Sequence, residues 1–340
     1  VAALAMKEKF SVVIIGDGRI GQAAAYYFRR SVAGIRVLIS GRTKDIKNAD
    51  LLVGAMPGEL GEGCLDMALR YKKNLLDISD IDPPFYLRHK KEITRQGITV
   101  IPGCGFSPGL VNFLLGRETA SKKRFESIEI KAGSLSRVPF YFPFLWCFED
   151  LMLEHQIPSW QWIAGKKRKF PAFAAMKKER FFGIPSETCY CASGFENVFE
   201  KAGVRNFTTR VIRPEGYRAF FGFLRNQGFL RKENFTHTKE VLESSREDNR
   251  TLARMIFYSR KEKIVWQLMS FSKRNETLNS MQKITASVPA VIGQFLLANR
   301  IPMGGLIFME DLAHNADLVD KIVAGIRRCG ISVKRSVFLR

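Results

Sequence analysis

The sequence predicts an α/β fold, a doubly wound parallel sheet followed by a second, α+β domain. Three observations predict it. Short apolar runs alternate with helical patterns over the first third of the chain. A glycine-rich turn joins the first of these runs to the first helix. Past Glu118 the regular alternation gives way to half-exposed strands and an aromatic, proline-punctuated stretch. At 340 residues there is chain enough for two domains, each with its own core.

Phe10-Ser-Val-Val-Ile-Ile15 is apolar and rich in β-branched residues, as a strand buried on both faces requires. It runs into Gly16-Asp-Gly18-Arg-Ile-Gly21 and the Ala-rich helical stretch Gln22 to Arg30. Ile35-Arg-Val-Leu-Ile39 follows a turn at Ala33-Gly34, and Leu51-Leu-Val53 ends at Met56-Pro-Gly58. Asn74-Leu-Leu-Asp-Ile78 and Ile98-Thr-Val-Ile101 complete five strands, with helical patterns at Leu60 to Tyr71 and Phe85 to Gln96 between them. Ser127-Ile-Glu-Ile-Lys-Ala-Gly133 then alternates like a half-exposed antiparallel strand. Pro139-Phe-Tyr-Phe-Pro-Phe-Leu-Trp146 is aromatic, and Lys166-Lys-Arg-Lys169 opens a basic strand. Residues 235–275 read as further strands, and Met281 to Asn299 as a helix with Pro289 near its start. Leu318 to Arg340 divides into a helix-like half and the strand-like Ile331-Ser-Val-Lys-Arg-Ser-Val337.

Lys and Arg outnumber Asp and Glu by 54 to 33, a net charge of +21, with +5 on residues 1–120 and +16 on the rest. Such an excess suits an anionic partner: nucleic acid, a charged surface or acidic small molecules. The run Lys166 to Lys169 with Lys177, Lys178 and Arg180 is interleaved with Phe170, Phe173 and Phe181. That mixture would stack on single-stranded nucleic acid. An edge strand with one buried face accounts for it better, and a nucleic-acid partner is not expected. A hydrophobic share of 46% excludes a disordered chain, and no run of about 18 uncharged apolar residues offers a membrane span. The apolar opening, Val1 to Met6, is too short for a signal peptide, so a cytoplasmic location is expected. Six scattered cysteines read as reduced thiols, and Cys189-Tyr-Cys191 lacks the second pair of a zinc site. His89, His155, His237 and His314 have no metal-ligand spacing, so no metal is expected.

Within the Gly16 to Gly21 turn, the first glycine permits the tight bend. The second lets a pyrophosphate approach the backbone, and the third lets helix and strand pack closely. The preceding strand and following helix set this apart from a bare glycine-rich turn, and free N–H groups at the helix start favour phosphate. Where NAD sites carry Asp or Glu after the second strand, this chain has Ser40-Gly-Arg42-Thr43-Lys44. An arginine there pairs with a 2′-phosphate, which favours NADP over NAD. The alternative is a solvated basic turn and NAD. Gly16, Gly18, Arg19, Ile20, Gly21, Ser40, Arg42 and Thr43 are thus candidate cofactor residues. Met56 and Pro57 would line the cofactor edge, with Ile78 and Ser79 closer to the nicotinamide, because ligands bind at the carboxyl ends of parallel strands. Asp77 belongs to the same loop or caps the helix after Asp82.

Together these motifs resemble the saccharopine dehydrogenase superfamily, and within it the short bacterial branch that includes lysine 6-dehydrogenase. The resemblance is carried by Gly16-Asp-Gly-Arg-Ile-Gly21, Ala49-Asp-Leu-Leu-Val-Gly-Ala-Met-Pro-Gly58, Leu75-Leu-Asp-Ile-Ser79 and above all Pro102-Gly-Cys-Gly-Phe-Ser-Pro-Gly-Leu-Val-Asn112. It covers residues 10–135 and thins beyond them. Arg213 and Gly216 match an Arg-Tyr-Pro-Gly-His segment in which Tyr217 replaces His. Thr285, Pro289 and Ala290 match a Thr-Thr-Gly-x-Pro-Ala turn. Gly304-Gly-Leu-Ile-Phe-Met-Glu310 departs from the usual Gly-Val-Leu-Pro-Pro-Glu.

The resemblance implies a Rossmann-type domain over 1–118, an α+β substrate and dimerisation domain over 119–290, and a segment 291–340 that returns to the first domain. It implies a homodimer formed through the second sheet and hydride transfer between a nicotinamide and the carbon of a C–N bond in an amino acid. A base must then take the amine proton, since only the neutral amine has a lone pair to assist hydride departure. Asp80 and Cys104 rank first for that role, ahead of Tyr217 and His89. Arg213, with Arg210 and Arg218 as neighbours and Tyr217 beside it, is the candidate for the substrate carboxylate, because a guanidinium holds it in a bidentate fork. Two other readings stay open: a carboxyspermidine- or opine-type dehydrogenase, and a nicotinamide-binding regulator or nucleic-acid-associated protein without turnover.

Overall fold

The structure, a computed structural model, describes residues 10–31, 34–79, 81–120 and 124–339. They fall into two units, one of residues 1–121 and 282–329, the other of 122–281 and 330–340. In the first, β1 (Phe10–Ile15), α1 (Arg19–Ser31), β2 (Ile35–Ile39), α2 (Thr43–Lys47), β3 (Leu51–Gly54), α3 (Glu62–Tyr71), β4 (Asn74–Asp77), α4 (Pro83–Gln96), β5 (Thr99–Ile101) and α5 (Leu110–Thr119) alternate. The strands pair in parallel, in the order β2-β1-β3-β4-β5. All four residues of β3 are buried, as a two-sided central strand demands. Winding reverses between β1 and β3, so the loops after these two strands diverge and leave a crevice at their carboxyl ends.

The second unit holds β6 (Ser127–Leu135), α6 (Phe148–Glu154), β7 (Ser159–Ile163), β8 (Lys166–Phe170), β9 (Ala174–Phe181), β10 (Ile184–Tyr190), β11 (Asn206–Pro214), α7 (Tyr217–Asn226), α8 (Lys232–Ser244), β12 (Asn249–Tyr258) and β13 (Glu262–Ser272). β6 is antiparallel to β12 but parallel to β11, so the sheet is mixed. Among the described residues β8 pairs only with β7, and its four cations are exposed, the usual protection of an unpaired edge. Residues 235–244, expected within a run of strands, are instead helical. Phe235 and Leu242 lie seven positions apart and pack on one cluster with Phe148, a helical rather than a strand period.

The remaining elements are α9 (Ser280–Leu297), β14 (Gly305–Leu306), α10 (Met309–Leu312), α11 (Ala316–Arg328) and β15 (Ser332–Leu339). β14 adds a sixth parallel strand beside β5. The chain re-enters the first unit at Gln282 rather than residue 291. The final strand departs from expectation: β15 pairs with β13 in the second sheet, from Met269↔Ser332 to Glu262↔Leu339. β13 offers a long antiparallel edge, whereas the first sheet ends on the two-residue β14.

Candidate active site

The turn after β1 is shaped by backbone contact. A Cβ on Gly16, whose φ is +120°, would lie 2.3 Å from the Ala55 carbonyl oxygen, and one on Gly21 would lie 2.0 Å from that of Gly16. At Gly18 nothing stands within 4 Å of the Cβ position, so that face of the turn is open to a ligand. Gly18 accepts from the Gln22 amide at 3.0 Å, which starts α1, and Gln282 Nε2 donates to the Arg19 carbonyl at 3.0 Å. Narrow fits at Gly16 and Gly21 with free space at Gly18 are what a pyrophosphate cradle requires.

After β2, Ser40 Oγ donates to Asp45 Oδ2 at 2.6 Å and accepts from the Arg42 amide at 3.0 Å. Arg42 Nε donates to the same Asp45 oxygen at 2.9 Å, while the arginine side chain stays 81% exposed. The hydrogen bond from Ser40, assisted by Arg42, holds the Asp45 carboxyl below the usual carboxylate range. The sequence reading missed Asp45, though an acid three positions after Arg42 in a helix's first turn is a local signal for such a pair. Thr43 opens α2.

Under the loops after β3 and β4 lies a buried acid. Asp77 Oδ1 accepts from the Ser79 amide at 2.8 Å, and Oδ2 accepts from the Tyr86 hydroxyl at 2.9 Å. Ser79 Oγ in turn accepts from the Met56 amide at 3.2 Å, so one carboxyl fixes both loops. Burial raises the Asp77 pKa. The Tyr86 and Cys64 groups, buried beside Asp77, are also pushed up, Cys64 to about 12. Asp77 is thus a loop tie and not the cap of α4, whose N-cap is Asp82. Pro57 is exposed, while Met56 and Ile78 are half-buried.

Of the two leading base candidates, Asp80 lies outside the described residues. Cys104 is fully buried, and burial, with Asp77 close by, raises its pKa and holds it as the neutral thiol. His89 is set by its Nδ1 contact with the Phe85 carbonyl, 2.9 Å, and by the Phe85 ring.

The second unit gathers another cluster from three segments. Arg213 on β11 is buried, and its Nη2 donates to Glu154 Oε1 at 2.9 Å. Burial, the largest effect, lowers the guanidinium's pKa, but Glu154 together with Tyr217, Cys191 and Cys189 outweighs it and the net shift is upward. Arg213 lies 5.5 Å from the ring centroids of both Trp146 and Tyr217. The Tyr217 hydroxyl, raised by burial, is 3.5 Å from His155 Nε2. Burial, then Arg213, lowers His155 to about 3 and keeps the imidazole neutral. Arg213 Nε and His155 Nδ1 are buried with no hydrogen-bond partner. Arg213 is therefore not the open cation the sequence suggested, yet its cluster keeps unused hydrogen-bonding capacity. The roles of Glu154 and His155 escaped sequence reading because they arise from contacts with β11 and α7, about sixty residues along the chain, which no local pattern records. Arg210 lies on the opposite side of the strand, over the Tyr190 ring and bonded to the Ala175 carbonyl, and Arg218 is exposed. Among the described residues no three His, Cys, Asp or Glu side chains are placed to hold a metal, and no helix is long and apolar enough to cross a membrane.

No protein-family model matches the chain. Among solved structures, apo, histidine-tagged saccharopine dehydrogenase (L-Glu forming) from Saccharomyces cerevisiae superposes with a TM-score of 0.75, covering 97% of this chain and 100% of that one at 15% identity. An engineered D-amino acid dehydrogenase bound to NADP+ gives a TM-score of 0.43 at 13% identity, over 93% of this chain and 98% of that one. GenD2 from gentamicin A biosynthesis, in complex with NAD, gives 0.45 at 9% identity, over 98% and 99%. The likeness to the yeast structure shows the fold: a Rossmann-type doubly wound sheet with a second, mixed-sheet domain.

Proposed function

We propose that the protein is an NADP-dependent dehydrogenase acting on a C–N bond of an amino acid, of the saccharopine or lysine type. The observation that carries the reading is the glycine turn, closed by backbone at Gly16 and Gly21 and open at Gly18. Gly18 and the start of α1 would hold the pyrophosphate, with Arg19 and Ile20 in that first turn. Arg42 uses Nε on Asp45, which leaves its two Nη groups for a 2′-phosphate, and this favours NADP. Bound there, the nicotinamide supplies hydride chemistry. Asp77 holds the Met56 and Ser79 loops in register along that edge. We assign Asp80 as acceptor of the amine proton and Arg213 Nε, beside Tyr217, as donor to the substrate carboxylate. A homodimer and a cytoplasmic location belong to the same proposal.

The test is direct. Titration with NADPH and NADH, followed by nicotinamide fluorescence, is expected to favour NADPH, and Arg42→Ala should cut that preference by about tenfold or more. Equal affinity for the two would overturn the NADP assignment. An amine panel with NADP, and keto acids plus amines with NADPH, read at the reduced-nicotinamide absorbance, tests turnover. Activity only with keto-acid and amine pairs would favour an opine-type enzyme, and binding without turnover a regulator.

A further inference from the structure

Two thiols stand together in the second unit and the proposed reaction uses neither. Cys189 and Cys191 are both about 1% exposed, and their sulfurs are 4.0 Å apart. The strand geometry explains the approach. Tyr190, between them, is held on the opposite side by the Phe170 ring at 5.1 Å and the Arg210 guanidinium at 4.6 Å. Both cysteines therefore project to one face, as residues two apart on a strand do. The register of β10 against β9 shifts between Thr188 and Tyr190, so this end of the strand is irregular. Cys191 is fixed from the other side by Ser159 Oγ, which donates to its carbonyl at 2.8 Å.

We propose that Cys189 and Cys191 form a reversible dithiol–disulfide site, closed by hydrogen peroxide and reopened by a dithiol reductant. The contact must shorten by about 2 Å to reach the length of an S–S bond. A small neutral oxidant is the class suited to thiols this buried. Either sulfur can donate in the 4.0 Å contact; Cys189, whose pKa is lowered by that contact and, after it, by the nearby Arg213, is taken as the attacking sulfur. Its thiolate attacks a peroxide oxygen, the O–O bond breaks, and a sulfenic acid forms. The departing hydroxide becomes water with the proton Cys189 had released. The Cys191 sulfur then attacks the sulfenic sulfur, the S–O bond breaks, and the second hydroxide leaves as water with the Cys191 proton. Two thiols lose two electrons and two protons, and one peroxide becomes two waters.

Tryptic cleavage after Arg180 and Lys201 isolates both cysteines on one peptide free of the other four. The full chain is treated with a small excess of peroxide, denatured, alkylated and read by mass spectrometry. The expected result is loss of two hydrogens on residues 181–201, about tenfold or more faster than oxidation at Cys147, and recovery of two alkylation sites after dithiothreitol. In Cys191→Ser, a dimedone adduct should accumulate at Cys189. Cys189→Ser should leave Cys191 reduced, and if Cys191→Ser does not fold, the wild-type mass readout alone decides. The proposal is overturned if the peptide keeps two free thiols while Cys147 is oxidised, or if Cys189 goes to sulfinic acid without losing the two hydrogens. None of these readouts needs turnover, so they stand or fall apart from the proposed reaction.

Discussion

In the first unit the candidate site is made of backbone. Gly16, Gly18 and Gly21 do their work by lacking side chains, and contacts of 2.3 and 2.0 Å to would-be Cβ atoms show where a methyl group has no room. In the second unit the site is all side chain: Arg213, His155 and Tyr217, all buried, and the partly exposed Glu154 come from α6, β11 and α7 and their flanks. A backbone site is written in a few adjacent residues and tolerates change around it. A buried charge cluster depends on every member, because each leaves the next uncompensated.

The largest break is expected at Glu154→Gln. Removing one charge of a buried pair costs about 3–5 kcal/mol, read as a lower midpoint in chemical denaturation, and Glu154→Gln with Arg213→Gln should recover much of it in a double-mutant cycle. No coupling between the two would show that the pair carries no net energy. Next comes Gly21→Val, which forces β-branched bulk onto the Gly16 carbonyl; overpacking there costs about 1–3 kcal/mol and should abolish cofactor binding.

The two units are also expected to respond to pH in opposite directions. His155 binds its proton less readily when folded than in the unfolded chain, whose ordinary value is 6.5. Stability from this group is therefore full above 6.5 and falls as pH drops toward about 3. Asp77 binds its proton more readily when folded, so its contribution falls as pH rises above 3.8 toward the raised folded value. His155→Gln should flatten the acid-side slope and Asp77→Asn the opposite one, read as denaturation midpoints across pH. Unchanged slopes would remove the assignment of those groups. The smallest stability effect is expected at Gly18→Ala, within about 0.5 kcal/mol because the Cβ meets nothing. Cofactor affinity should nevertheless fall by about tenfold or more, since the same open space receives the phosphates.

That contrast also governs what could be read in advance. The bounds of β1 and β2 follow from apolar runs, and the turn between β1 and α1 follows from its glycines. The ion pair of Arg42 with Asp45 was legible in principle, being local. β14 was not, because two residues beginning with glycine carry no pattern and depend on β5 for their conformation. The burial of Cys104 was not legible, since a motif gives a residue's place in a loop but not the depth to which packing sinks it. Glu154 and His155 acquire their roles only when α6 is set beside β11, a pairing of segments about sixty residues apart.

The return of β15 to the second sheet sets an order on synthesis. β13 and its final neighbour are separated by roughly sixty residues that hold α9, β14, α10 and α11. At roughly 5–20 residues per second, that strand waits on the order of 3–12 s at the ribosome with one side unzipped. Over that interval its free amides and carbonyls form a template that a neighbouring nascent chain can copy. Chaperone demand during translation should accordingly peak between the emergence of residues 272 and 332, and a nonsense codon placed at 330 should make that transient exposure permanent.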